Sequence, residues 1–288
     1  MFWFPIALTT AFLAAAGDAL TKVYLRPLGT FQMASGRVIA PIFFLAPFLL
    51  LQDWPALDAG FWKVLAMLLP LETLALILYM EALRVSPLSL TVPFLAFTPA
   101  FMILTGAVIL GERLSPQGIC GILLIVAGSY SLHLPQLRGG LAAPFRAILN
   151  ERGSVLMLMV ALIYSVTSVL GKVAIQHSNP FFFATFYFIV HGIFASLVLA
   201  LFFRVRPWHV VKRSPRGVLL VGLAQSLMVI AHMWAISLAP AAYMIAVKRL
   251  SVLFGVVMGC LFFKEEGFRS RLLGAGLMVS GVFLIALS

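Results

Sequence analysis

The chain has 288 residues, 62% of them hydrophobic and only 10% charged, at a mean hydropathy of +1.09. A soluble domain is about 45–50% apolar, so an ordinary water-soluble fold is excluded and a polytopic helical membrane protein is expected. The net charge of +11 is spread through short connections instead of lying on one folded face, which argues against nucleic acid and for orientation in a bilayer.

Apolar runs of roughly 18 to 24 residues, long enough to span the hydrocarbon core, are separated by turn residues. In chain order they predict helices over Phe2–Leu25, Phe31–Leu51, Phe61–Leu83, Leu88–Leu110 and Pro116–Leu134. A second set follows over Gly153–Ala174, Pro180–Phe203, Gly217–Leu238, Pro240–Phe263 and Leu272–Leu287. The N-terminal run has no basic n-region and reads as the first span, not as a signal peptide. Cys120 and Cys260 lie inside apolar runs without CxxC spacing, so they read as small packing residues.

The two sets are copies. A shift of 150 pairs Ala11 with Ala161, Leu20 with Leu170, Lys22 with Lys172 and Phe31 with Phe181. A shift of 153 pairs Met80 with Met233, Pro87 with Pro240, Gly106 with Gly259, Glu112 with Glu265, Gly121 with Gly274 and Gly128 with Gly281. Because five is odd, the second copy enters the membrane inverted, and in that architecture the ligand site lies near the midplane between the halves. The expected fold is therefore all-α, a polytopic membrane protein of ten transmembrane helices in two inverted five-helix repeats. The first repeat is expected over residues 1–134, the connection over 135–152 and the second repeat over 153–288.

Lys and Arg crowd the odd-numbered connections, above all RVRPWHVVKRSPR between the seventh and eighth spans, while the alternate connections hold only Lys63, Arg113 and Lys172. Cytoplasmic connections collect these residues, so both termini are expected outside, in the periplasm of a bacterium, with the chain in the inner membrane.

The candidate site starts from the apolar run Ala239–Glu266, which carries Lys248 and Arg249 near its middle. Each cation at a bilayer centre costs about 2.5–3.5 kcal/mol even on lenient scales, so a water-filled cavity and an anionic guest are expected to compensate them. Adjacent helical residues point about 100° apart, so the two flank a site, the lysine as a point charge and the arginine as a planar fork. Ser251, Gly255 and Gly259 continue the lysine's face as small residues on which a neighbouring helix is expected to pack. Glu72 and Tyr79 share a face of the third span, and their shifted counterparts Gln225 and His232 share one on the eighth, which suggests a cavity lining or polar pairs between helices. Glu72 has three open roles: neutralising Lys248 or Arg249 in the empty carrier, accepting an amine, or carrying a proton.

Arg37 and Lys22 complete the candidates. Lys22 sits four residues after Asp18, the spacing of a local ion pair. Arg37 has no partner close in sequence and either snorkels to the interface or lines the cavity. Lys172 is expected at the interface, Tyr187 and His191 as packing on one face of the seventh span, and Glu112 as a solvated helix end. Gly118, Gly121 and Gly128 in the fifth span, and Gly274, Gly276 and Gly281 in the tenth, predict close helix contact. Pro93 and Pro99 are expected to loosen the fourth span. The five histidines show no HExxH or metal-ligand spacing and no nucleophile with a base, so no cofactor, metal or catalysis is expected.

Ten helices in two inverted fives, with Gly111-Glu112 ending the fourth span before the glycine-rich GICGILLIVAGSY, resemble the drug/metabolite transporter superfamily in its EamA-type branch. AVKRLSVLFGVVMGCLFF is similar to the ninth helix of the triose-phosphate/phosphate translocators, and that resemblance implies that Lys248 and Arg249 bind a substrate phosphate. The lysine those translocators carry in the fourth helix has no counterpart in Leu88–Leu110. The expected function is a secondary transporter, working by alternating access as an exchanger, for a small anionic, phosphate-bearing organic solute. Two alternatives remain open: a proton-coupled exporter of amino acids or other zwitterions, and a flippase for an anionic lipid head group. Expected partners are the solute and membrane lipids, with the carrier a monomer or homodimer.

Overall fold

The computed structural model describes residues 2–25, 27–86, 92–131, 152–255, 257 and 272–288, with the side chains of Lys22, Val92, Pro93 and Leu272 outside that set. The regular structure among them is helical. The first half contains α1 Trp3–Tyr24, α2 Thr30–Leu51, α3 Ala59–Val85, a 3-10 segment Val92–Phe97, α4 Thr98–Leu110 and α5 Pro116–Ser131. The second contains α6 Arg152–Gln176, α7 Pro180–Phe203, a short α8 Pro207–Arg213, α9 Pro215–Leu238, α10 Ala241–Lys248 and α11 Leu272–Ala286.

Local chemistry sets the ends. Asp58 Oδ1 accepts from Phe61 N–H at 2.9 Å to start α3, and Asn179 Oδ1 accepts from Phe182 N–H at 2.8 Å to start α7, with Pro180 at its first position. Gly111 closes α4 at φ 67°, a left-handed turn that costs glycine nothing. Phe43, Leu51, Leu104, Val108, Leu201 and Phe283 point outward from the bundle. Outward apolar side chains at this density suit contact with lipid, where the helical backbone has already satisfied its own polar groups.

The halves interlock. α1 packs on α9, α3 on α6, α2 on α7 and α5 on α11, so each of these contacts joins one repeat to the other. The α5–α11 contact makes the symmetry explicit. A methyl group on Gly121 would lie 2.6 Å from the carbonyl oxygen of Gly281, and one on Gly128 would lie 2.7 Å from that of Gly274. Gly274 and Gly281 are the sequence counterparts of Gly121 and Gly128, so two copies of one glycine face meet antiparallel about a two-fold. The same small-residue logic brings α2 close: added methyl groups on Gly192 of α7 and Gly222 of α9 would lie 2.5 Å from the carbonyls of Val38 and Ala40.

The connections alternate between two ends. Ser214 before α9 donates to Tyr24 O at the end of α1, and Arg152 opening α6 lies 3.9 Å from Glu81 near the end of α3. At the other end His177 after α6 pairs with Asp58 before α3 at 2.8 Å, and Ser115 before α5 bonds the hydroxyl of Tyr243.

Several expectations are corrected. The fourth span is not one α-helix, because Val92–Phe97 is wound as 3-10 before α4 begins. The ninth is not continuous either: α10 stops at Lys248, Leu250 N–H donates to Val247 O and Val252 N–H to Arg249 O, and helical geometry resumes over 251–255. The basic connection between the seventh and eighth spans contains α8, whose Val210 is buried against Leu25 and Leu28. Among the described residues a methyl group added to Gly255 or Gly276 meets nothing within 4 Å, so neither glycine makes a close helix contact there, and Cys120 is exposed instead of packed inside. Gly259, Cys260 and Glu265 lie outside the described residues.

Candidate functional site

The long helices enclose a cavity of about 360 Å3 at the meeting of the two halves. α10 delivers Lys248 as its last helical residue and Arg249 in the turn beyond. Facing them are Glu72 and Tyr79 of α3, Arg37 of α2, and Gln225 and His232 of α9, all on the cavity wall. Seven of the candidates named from sequence are thus brought together, and the side chain of the remaining one, Lys22, lies outside the described residues.

The broken ends of the fourth and ninth spans meet here. Arg249 Nη2 donates to Thr98 Oγ1, the first residue of α4, at 2.7 Å, while Arg249 Nε is buried with no partner among the described residues. Among the described residues no carboxylate lies within ion-pairing distance of Lys248 or Arg249. Glu72 of α3 and Thr167 of α6 line the same wall as Lys248. Asp18 of α1 is taken by Arg37, Oδ1 to Nη1 at 2.7 Å. The acid nineteen positions away in sequence is the partner that Arg37 lacked on its own helix, and both line the cavity; the expected pairing of Asp18 with Lys22 falls on a side chain outside the described residues. The described walls therefore carry three basic side chains, Arg37, Lys248 and Arg249, against two carboxylates, Asp18 and Glu72.

One side of the cavity is aromatic. Phe183, Tyr187 and His191 form a stack down α7, with ring centroids 5.0 Å and then 5.7 Å apart. Tyr187 Oη, His191 Nε2 and His232 Nδ1 are buried without a partner among the described residues, so the residues expected as packing on α7 present unspent polar atoms at the wall. Sequence reasoning did not single out Tyr164, Thr167 or Ser168 of α6. Their signal was present as Tyr164, Thr167 or Ser168, and Gly171, a polar and small stripe at helical spacing, and all four line the cavity.

Glu112 is not a solvated helix end. Its side chain is only 12% exposed, Lys172 Nζ lies 2.6 Å from Oε1, and the backbone N–H of Ala241 donates to both carboxylate oxygens at 3.1 and 3.0 Å. Lys172 also donates to Ala239 O at 2.5 Å. The carboxylate that ends α4 thus fastens the start of α10 to α6, which is favourable both as a charge-assisted bond and as an anion at a helix N-terminus. Tyr243 sits beside it, over Gly118, where a methyl group would collide with its hydroxyl.

The sequence model of the EamA-like transporter family matches residues 1–133 and 151–287. A solved structure described only as "Crystal structure of protein" is similar in fold, at a TM-score of 0.74 and 16% identity, over 99% of this chain and 96% of that one. No curated protein matches the chain. The family match falls on both halves of an interlocked, all-helical bundle around a polar central cavity, and the chain belongs to the EamA-like transporter family, multi-pass membrane transporters of the drug/metabolite superfamily.

Proposed function

We propose that this transporter carries a small organic anion bearing a phosphate or similar group, held between Lys248 and Arg249, and that it exchanges one such solute for another by alternating access. One observation carries the reading: two cations on a cavity wall deep in an apolar bundle, with no resident carboxylate within ion-pairing distance among the described residues. A tetrahedral anion would take the unpartnered Arg249 Nε and the Lys248 ammonium as charge-assisted donors. The described walls carry one more cation than carboxylate, so an empty site holds uncompensated charge at the barrier and a filled one does not. Reorientation without solute is then slow, which makes the carrier an exchanger. The basic connections support a reading in which their end faces the cytoplasm and the termini face the periplasm of a bacterial inner membrane.

The test is counterflow in proteoliposomes. Vesicles loaded with unlabelled phosphorylated metabolites are expected to take up labelled solute saturably, and Lys248→Ala or Arg249→Ala is expected to cut uptake at least a hundredfold while the protein still assembles. Normal uptake by both variants would remove the site. Glu72 on the same wall favours a second reading, a proton-coupled exporter of zwitterions in which Glu72 holds the proton or the amine. A pH-gradient dependence lost in Glu72→Gln distinguishes it.

A further inference from the structure

A second hollow, of about 330 Å3, lies apart from the central cavity, between the start of α2, the end of α7 and α8. Its polar wall is Gln32, Arg204, Arg206, His209, Lys212 and Arg213. Four of these are permanent cations, none is acidic, and among the described residues no carboxylate pairs with any of the four.

Orientation in the membrane needs only that basic residues remain in this connection. The fold does more than that. Arg204 ends α7 at φ 53° and ψ 28°, the only positive φ at a non-glycine among the described residues, where glycine would sit without steric cost. Arg206 caps α8, and residues 206, 209 and 213 follow the three-and-four spacing that keeps side chains on one helix face. Burial of Val210 against Leu25 and Leu28 holds α8 down on the bundle so that this face closes over the hollow.

Its depth is set as well. α7 runs 24 residues, most of them apolar, before Arg204, so the hollow sits at the level of the lipid head groups. Phe202 and Trp208, on either side of Arg204 in the chain, are 76% and 61% exposed, and Lys212 Nζ lies 5.8 Å from the Trp208 ring centroid. Exposed aromatics at this level anchor in the interface.

The geometry points to a binding site for the phosphodiester head group of an anionic phospholipid, its phosphate seated among Arg204, Arg206, Lys212 and Arg213 and its acyl chains lying on the outward apolar face of α7. The chemistry is that of basic pockets between transmembrane helices, where each Lys or Arg near the surface strengthens binding about fivefold. A free phosphoanion offers the same oxygens, so the test separates the two sources.

Full-length protein in detergent is melted against increasing phosphatidylglycerol, phosphatidylcholine or inorganic phosphate. Phosphatidylglycerol alone is expected to raise Tm saturably. Arg206→Gln with Arg213→Gln is expected to move the half-saturating phosphatidylglycerol upward about thirtyfold, with Tm in phosphatidylcholine unchanged. Lys63→Gln, which removes a charge from the exposed start of α3, is expected to leave the titration alone. Should the double variant fail to assemble, Lys212→Gln carries the same test at about fivefold. An unmoved half-saturation, or an equal shift in Lys63→Gln, overturns the site. Saturation by inorganic phosphate below the phosphatidylglycerol range, lost in the same variants, overturns the lipid as occupant in favour of a soluble phosphoanion.

Discussion

The fourth and ninth spans are the same piece of chain used twice, and they differ where it matters for binding. A shift of 153 lays the 3-10 segment Val92–Phe97 on residues 245–250, and the second copy leaves α-helical geometry within that stretch, at its last two residues. In the first copy the residues there are Leu95 and Ala96, and Phe94 and Ala96 are buried at 0% and 3% exposure. In the second they are Lys248 and Arg249, on the wall of a cavity. The irregular backbone is therefore a property of the repeat, and the charge is a property of one copy. Broken helices at a repeat interface supply the place for a ligand; this chain supplies the chemistry from one side only.

Moving a charge to the other copy gives the largest expected effect. Ala96→Arg puts a guanidinium at the position matching Arg249, but into packed apolar surroundings instead of a cavity. Desolvating an unpaired charge at about 2.5–3.5 kcal/mol, with overpacking of about 1–3 kcal/mol, gives a loss near 5 kcal/mol and no monodisperse protein on size exclusion. A variant that purifies and melts like the parent would mean that the first copy also opens onto water, and the comparison would fail.

Next comes the fastening of α10. Glu112→Ala leaves Lys172, 14% exposed, without its partner and the Ala241 N–H without an acceptor. Removing one member of a buried pair costs about 3–5 kcal/mol, readable as a fall in Tm, and Glu112→Leu with Lys172→Met is expected to recover most of it because the desolvated charge is then gone. No recovery in the double variant would show that the carboxylate matters for the helix start alone.

How much of this was legible follows from what periodicity can report. Span lengths, the two shifts and the polar faces Glu72–Tyr79 and Gln225–His232 depend on residues close together in sequence, and the structure collects those faces on one cavity. Partnerships across the bundle depend on which helices meet. Asp18 with Arg37, and Glu112 with Lys172 and Ala241, join residues from different helices, so spacing alone left Arg37 without a partner and assigned Glu112 to solvent. The break at Lys248 was hidden for another reason: Ala241–Gly255 contains neither proline nor an internal glycine before the end, so nothing local announces it. Glycines divided by the same rule. Gly121 and Gly281 face a carbonyl, whereas Gly276 meets nothing among the described residues, and the three look alike in sequence.

The glycine contact offers a symmetric control for the asymmetric site. Gly121→Ala and Gly281→Ala each place a methyl group within 2.6 Å of a backbone carbonyl, which cannot turn aside as a flexible side chain would. Each is expected to cost about 2 kcal/mol, and the two Tm losses should agree, since each residue opposes the other across α5 and α11. Clearly unequal losses would show that the two-fold relation of the scaffold is broken outside the site as well.

The smallest effect tests whether the first copy contributes anything to binding. Thr98 accepts from Arg249 Nη2 at 2.7 Å, and its shifted counterpart is Ser251, which also lines the cavity. Thr98→Val keeps the shape and removes the acceptor, so the guanidinium loses the bond that orients its fork toward the cavity. A hydrogen bond to a charged group contributes about 1.5 kcal/mol at the low end, which predicts about a tenfold rise in the solute concentration for half-maximal counterflow, with maximal flux retained. Ser251→Ala removes a hydroxyl with no such duty and is expected to move that concentration less than twofold. If the two variants behave alike, Thr98 does not aim Arg249, and the fourth span serves the site only as a wall.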